Sequence, residues 1–478
     1  MKIREVDVAI IGAGTAGMTA YRSALEYTDS VVVIESSHYG TTCARVGCMP
    51  SKLLIAAAEV NHQVHSAAQF GIDVASSAVD GKRVMRRVKA ERDRFVGFVE
   101  SAVEQWPDEH KLWGEAKFVG ATELVVNNDI RVTAKRIVIA VGSRPALPPQ
   151  WLVLGDRLII NDDVFAWDDL PKSVAVVGAG VIGLELAQAL TRLGVRTQLF
   201  GRNDKIGPVS DPLVNAEAKS IFEAELTFSS NANITSVERT EQGVSVLYTE
   251  HDTQKEAEFE YLLAATGRRS NVDLVDLAAA GVEVDERGLP KINEATGQIA
   301  NTPLFIAGDV TNAHPLLHEA ADDGRIAGSN AGSYPEVHAR PRRAPLSVVF
   351  SDPQIALVGA RYSELVQAGI DFAAGHVNFA DQGRSRVIAK NKGLLRVYGE
   401  QGTGLFLGAE MIGPAAEHLG HLLSWSVQHR LSVQEMLDSP FYHPVIEEGL
   451  RTALRLLRRE LRMGPLPVVG CLDCGPGA

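Results

Sequence analysis

Two of the chain's four cysteines, Cys43 and Cys48, lie in GTTCARVGCMPSK with four residues between them. Such a pair could be a redox couple, half of a metal site, or two small buried hydrophobes. On a regular α-helix, residues five apart have Cα atoms about 8.7 Å apart. That is beyond the roughly 7 Å reach of a disulfide. A bridge therefore needs an irregular turn, which Gly47 or Pro50 could supply. No His or Cys cluster completes a four-ligand zinc site beside these two, so no metal is expected. Cys471 and Cys474 form a second close pair, C-x-x-C, a spacing compatible with a low thiol pKa and reversible oxidation. Gly464, Pro465, Pro467, Gly470, Gly475 and Gly477 surround it, so a mobile tail over 463–478 with incidental thiols is the alternative.

Residues 6–35 read strand, glycine turn, helix, strand. VDVAII is a continuous apolar run, as a parallel strand buried on both faces should be. Gly12, Gly14 and Gly17 follow as G-x-G-x-x-G, which permits a tight turn, close approach to a pyrophosphate and close helix packing. VVVIE then ends in Glu35, placed to bind a ribose hydroxyl pair. The unit recurs over 173–202 with Gly178, Gly180 and Gly183, which predicts two dinucleotides on one chain. Here the acid is missing, and Gly201 and Arg202 stand in its place. Without the carboxylate a 2′-phosphate is not repelled, and an arginine offers it a bidentate partner. An ordinary surface arginine is the alternative.

The elements that must position these residues can be sketched. PLFIAGDV (303–310) places Asp309 past a strand end but lacks a glycine fingerprint, so it reads as the chain returning to the first nucleotide domain. IVIAVGSRP (137–145) and LLAATGRRSN (262–271) read as strand ends and turns closing each nucleotide domain. After about residue 345 alternating strands give way to helices. The expected fold is α/β, with two Rossmann-like domains and a C-terminal α+β domain. The expected boundaries are 1–150, 151–272, a return segment 273–344, 345–462 and the tail 463–478.

Fifty-nine acidic against 47 basic residues give a net charge of −12, which argues against a nucleic-acid partner. The basic stretches KRVMRRVKAERDR and RTALRLLRRELR are interrupted by apolar residues at helical spacing and read as solvated helix faces. No apolar run reaches the ~18 residues of a membrane helix. The N-terminus runs from charges straight into a strand, with no signal-peptide pattern. A cytoplasmic protein without a membrane partner is expected.

Together these motifs resemble the FAD-dependent pyridine nucleotide–disulfide oxidoreductases, from VAIIGAGTAG to FYHPVIEEGL. The resemblance implies FAD at the first fingerprint, NAD(H) or NADP(H) at the second, and a C-terminal domain that forms a homodimer. It implies that Cys43 and Cys48 form the redox-active disulfide, with Cys48 beside the flavin and Cys43 exchanging with substrate. It places Lys52 by the flavin, paired with Glu185. FYHPVIEE matches the family's His-Pro…Glu segment, so His443, given by the partner subunit and oriented by Glu448, would take the substrate thiol's proton. By itself a His before Pro would read as structural. The remaining cofactor-binding positions carried over are Thr42, Ala116, Ser143 and Gly267; His318 matches a position near the flavin without assigned chemistry.

Within the family the PSK segment and His-Pro…Glu point to a dihydrolipoyl dehydrogenase-like enzyme acting on a small or protein-bound dithiol. Arg45, where the family has asparagine, the Gly201-Arg202 pair and the C-terminal cysteines depart from that pattern. They leave room for an NADPH-driven reductase of another disulfide or of a metal ion, with the tail as a relay; a flavoprotein electron carrier or redox sensor without disulfide turnover is a separate alternative.

Overall fold

The computed structural model describes residues 1–462; Cys471, Cys474 and the relay reading of the tail lie outside them. The apolar run near the N-terminus becomes β1 (Lys2–Ile11), whose last four residues are all buried. It leads through the first glycine turn into α1 (Thr15–Ala24) and then β2 (Val31–Glu35), which pairs with β1 in parallel, Val8 opposite Val31. The strand Ile130–Ile139 flanks β1 on its other side, also in parallel. The returning strand Leu304–Ile306 joins that one in turn, which puts Asp309 in the same domain as the first glycine turn. These strands belong to a nine-stranded sheet. Small residues let the helix Leu317–Ser333 lie close on α1. A Cβ at Gly324 or Gly328 would come within 2.2 or 2.3 Å of the Ala16 or Ala20 carbonyl oxygen.

Between β2 and the rest of this domain the chain makes α2 (Thr42–Val46), α3 (Cys48–Ser66) and α4 (Gly81–Glu104). Leu54, Ile55 and Ala58 of α3 and Met85 and Val88 of α4 bury into a core shared with Leu184, Ala187 and Leu190 of the helix Val181–Arg192. The helix that follows the cysteine pair is thus packed between the two glycine-turn units.

The second unit is a five-stranded parallel sheet around Ser173–Val177, every residue of which is buried. The two segments read as simple strand ends do more than that. Ser143–Pro145 and Arg268–Ser270 pair antiparallel, a two-stranded ribbon through which the chain leaves and re-enters the first domain. Arg144 ties it down through Asp273, at 2.6 Å. Residues 346–413 form a five-stranded antiparallel sheet backed by the helices Ala416–Gln428 and Glu447–Glu460. No described helix is long and apolar enough to cross a membrane.

Candidate active site

The cysteine pair straddles a break between two helices. Thr41 caps α2, its hydroxyl accepting from the Cys43 N–H at 3.1 Å. At Gly47 the backbone leaves helical values (φ −124, ψ −118), and α3 restarts at Cys48. Gly47 supplies the irregular turn. Pro50 does not: it sits in the first turn of α3, where a missing N–H costs nothing. A Cβ at position 47 would lie 3.1 Å from the Cys43 Cα and 3.2 Å from the Thr42 oxygen, so glycine is what lets the two cysteines approach. Asn161 Nδ2 donates to the Val46 carbonyl at 2.9 Å and holds the end of α2.

Both cysteines are unlinked thiols, Cys43 half-buried and Cys48 exposed. A hydrogen bond from the Cys43 thiol, with help from the Lys52 charge, outweighs burial and lowers the Cys48 pKa from 9.0 to about 7. The same bond, with burial, pushes the Cys43 thiol up. Cys48 also stands at the first position of a 19-residue helix, whose N-terminal amides favour a thiolate. The negative charge of the pair therefore resides on Cys48.

One turn along α3, Lys52 Nζ bonds both oxygens of Glu185, at 3.0 and 2.8 Å. Glu185 is only 4% exposed and needs such partners; the Phe350 N–H supplies another at 2.9 Å. Lys52 also lies 4.6 Å from the centre of the Phe350 ring. Phe350 and Thr41 were not legible as site residues. A Thr before a helix is a capping signal, but nothing local marks a phenylalanine 165 residues from its partner.

The two glycine turns share one construction. Gly12 has φ +100, and its Cβ would meet the Ala140 oxygen at 2.4 Å; Gly178 has φ +115 and would meet the Ala265 oxygen at 2.2 Å. A Cβ at Gly17 or Gly183 would fall 1.9 or 1.8 Å from the carbonyl oxygen of Gly12 or Gly178. By contrast nothing lies within 4 Å of a Cβ at Gly14 or Gly180, so each turn faces open space. Glu35 sits at the first turn, accepting from the N–H groups of Ala13 and Ser37, both at 2.8 Å. Such cradles fit a dinucleotide pyrophosphate.

Asp309 follows Gly308 at the end of the returning strand. Burial pushes its carboxyl up, and Arg268 opposes this. Ser143 joins them, its hydroxyl 3.4 Å from Asp309 and accepting from Arg268 Nε at 2.8 Å. Thr42 is exposed at the start of α2, Ala116 is buried at the start of a strand, and Gly267 has φ +109 with open space before it. In the second unit Arg202 is exposed beyond the strand Arg196–Phe200. At Gly201 a Cβ would lie 3.0 Å from the Ser230 oxygen and 3.3 Å from the Phe228 ring, a tight fit that disfavours a side chain there.

His443 and Glu448 meet: Nδ1 lies 3.1 Å from both carboxylate oxygens. The Val445 N–H and Arg451 each bond the same carboxylate at 3.2 Å, which fixes it. With Nδ1–H assigned as donor to Glu448, Nε2 keeps its lone pair. The imidazole is 72% exposed in the single chain, facing outward. His318 is exposed near the start of its helix, 3.8 Å from Glu319.

Comparison with known proteins gives a uniform result. The sequence profile of the pyridine nucleotide-disulphide oxidoreductases matches residues 6–324, and that of their dimerisation domain matches residues 346–454. Dihydrolipoyl dehydrogenase of Geobacillus stearothermophilus is 29% identical over 448 residues, 93% of this chain and 94% of that protein. Mercuric reductase of Acidithiobacillus ferrooxidans is 29% identical over 475 residues, 96% of this chain and 84% of that protein. Among solved structures, the HOCl-induced flavoprotein disulfide reductase RclA from Escherichia coli superposes with a TM-score of 0.79 at 21% identity, covering 94% of this chain and all (100%) of that one. LpdA from Mycobacterium tuberculosis gives 0.80 at 23% identity, covering 94% and 99%.

Proposed function

The chain belongs to the pyridine nucleotide–disulphide oxidoreductases, enzymes of FAD and NAD(P)H, and on that premise we propose that it passes electrons between a nicotinamide nucleotide and an external dithiol or disulfide through Cys43 and Cys48. One observation carries this reading: two thiols share a hydrogen bond across the Gly47 break, with the charge on Cys48 and the Lys52–Glu185 pair one turn behind it. Bound FAD supplies the hydride chemistry with the nicotinamide; the chain's own residues handle sulfur and protons.

With a dithiol substrate, His443 Nε2 takes a thiol proton. The substrate thiolate attacks the Cys43 sulfur of the oxidised pair, and the S–S electrons leave on Cys48. His443 passes this first proton to solvent and takes that of the second substrate thiol, whose thiolate attacks the substrate sulfur of the mixed disulfide; the substrate disulfide is released and Cys43 leaves, receiving the proton then held by His443. The protein disulfide is reduced, the substrate dithiol oxidised, and Lys52 stabilises the charge left on Cys48. Because His443 faces outward, the proton acceptor completes the site of a second copy, and the working enzyme is a homodimer.

The preferred substrate is lipoamide, supported by the likeness to dihydrolipoyl dehydrogenases along 93% of the chain. Arg202 and the crowded position 201, which carries no carboxylate, favour a second reading, an NADPH-driven reductase of another disulfide or a metal ion. Steady-state rates with lipoamide, glutathione disulfide, thioredoxin and Hg²⁺, each with NADH and NADPH, separate the two. Dominant turnover of lipoamide supports the first reading, and its absence overturns it.

A further inference from the structure

Arg45 lies between the two cysteines and has no part in the steps above. It is half-buried, and its guanidinium makes no hydrogen bond or salt bridge to any described residue. The negative charges that reach it, Glu35, Glu100 and Asp162, do so at longer range. Two of them are already engaged: Glu35 by the Ala13 and Ser37 amides, and Asp162 by Asn161 Nδ2 at 2.8 Å. Burial pulls the guanidinium pKa down. An unpaired, partly desolvated cation carries a cost that a bound anion offsets.

Its position says which anion. Thr42 and Arg45 are three residues apart on α2 and share a face. The start of α2 is tied to the first glycine turn by two bonds: Gly40 N–H to the Ala13 carbonyl at 3.1 Å, and the Thr15 hydroxyl to that of Thr41 at 2.8 Å. The open space before Gly14 therefore lies beside α2. Glu35, bonded to the Ala13 N–H at that turn, is the first of the charges that reach Arg45, and Asp162 follows Asn161, which holds the far end of α2 through the Val46 carbonyl. A dinucleotide whose ribose meets Glu35 presents its phosphates at the Gly14 turn, beside the face of α2 that carries Thr42 and Arg45.

We propose that Arg45 is a cofactor-binding residue whose guanidinium makes a charge-assisted hydrogen bond to the pyrophosphate of FAD. The proposal rests on the FAD site of the preceding reading and adds a contact that the glycine turn does not provide.

Holoenzyme of the wild type, Arg45→Asn and Arg45→Gln is dialysed at rising NaCl, and retained FAD is measured. The apoproteins are then titrated with FAD and with riboflavin, which lacks the pyrophosphate. The expected result in both variants is a roughly 10- to 100-fold weaker FAD affinity, a flatter salt dependence, and unchanged riboflavin binding. Should Arg45→Asn not fold, Arg45→Gln gives the same reading. Unchanged FAD affinity overturns the proposal, as do equal losses for FAD and riboflavin. So does a changed substrate KM with FAD affinity intact, which would assign Arg45 to the substrate path. A wild type that binds no FAD at all would contradict the cofactor reading itself, a separate failure.

Discussion

Cys48 concentrates the charge of the cysteine pair on one atom. Its thiol titrates at about 7, against an ordinary 9.0, because Cys43 donates to it and Lys52 lies near. The depressed pKa means the thiolate persists above that value and is lost as pH falls through it. Ultraviolet thiolate absorbance of the reduced enzyme should show this midpoint, and Lys52→Met should move it upward. A midpoint unmoved by Lys52→Met would show that the lysine charge does not reach the sulfur. His443 can be isolated in the same way. His443→Ala should slow the dithiol half-reaction by the 10²–10⁴ typical of losing a general base, while reduction of FAD by the nicotinamide nucleotide is spared. Equal slowing of both halves would make His443 structural. Arg202→Ala should raise the NADPH KM roughly tenfold or more and leave NADH nearly unchanged; a wild type that strongly prefers NADH would show Arg202 pointing into solvent.

At the scale of elements, the glycine turns do what side chains cannot. Gly183→Ala would drive a methyl to 1.8 Å from the Gly178 oxygen, so the helix Val181–Arg192 must move off its strand. Reduction by NAD(P)H should fall steeply while FAD stays bound to the other turn, which stopped-flow flavin reduction and flavin content report separately. These turns were legible in the sequence because a positive φ and a backbone approach that excludes a Cβ leave only glycine. Glu35 could be placed for a like reason, at the end of an apolar strand of fixed length. The redox break was legible only in part: the pair demanded an irregular turn, but the sequence offered Gly47 and Pro50 equally. Only the backbone shows that Pro50 continues a helix that Gly47 has interrupted. The ribbon of Ser143–Pro145 with Arg268–Ser270 was not legible at all, since three-residue strands carry no usable period. The resemblance to a family, not spacing, brought Glu185 to Lys52, because their separation is 133 residues.

The whole molecule holds this site between units that are far apart in the chain. Glu410, fully buried at 0% exposure in the C-terminal sheet, accepts from the N–H groups of Ser210, Asp211 and Tyr362 at 2.6, 3.0 and 2.9 Å. Asp211 caps the helix Pro212–Glu225 and accepts from Arg396 and the Tyr398 hydroxyl, both at 3.0 Å. Arg192 adds a buried tie between Glu225 and Asp352. These bonds fix the second glycine-turn unit on the dimerisation domain, and the Phe350 N–H bond to Glu185 adds a tie beneath Lys52. Glu410→Gln would turn an amide donor toward amide donors and should cost about 1–3 kcal/mol, read as a lower unfolding midpoint in calorimetry with the flavin still bound; an unchanged midpoint would show that the tie does not limit stability. The central claim, that Cys43 and Cys48 form a redox couple in contact with the flavin, is tested most directly by anaerobic dithionite titration of the holoenzyme. A flavin and a disulfide are each two-electron couples, so the wild type should take up about four electrons per FAD. Cys48→Ser should keep its FAD and take up about two. Wild-type uptake of about two electrons, with no thiols appearing, would contradict the account.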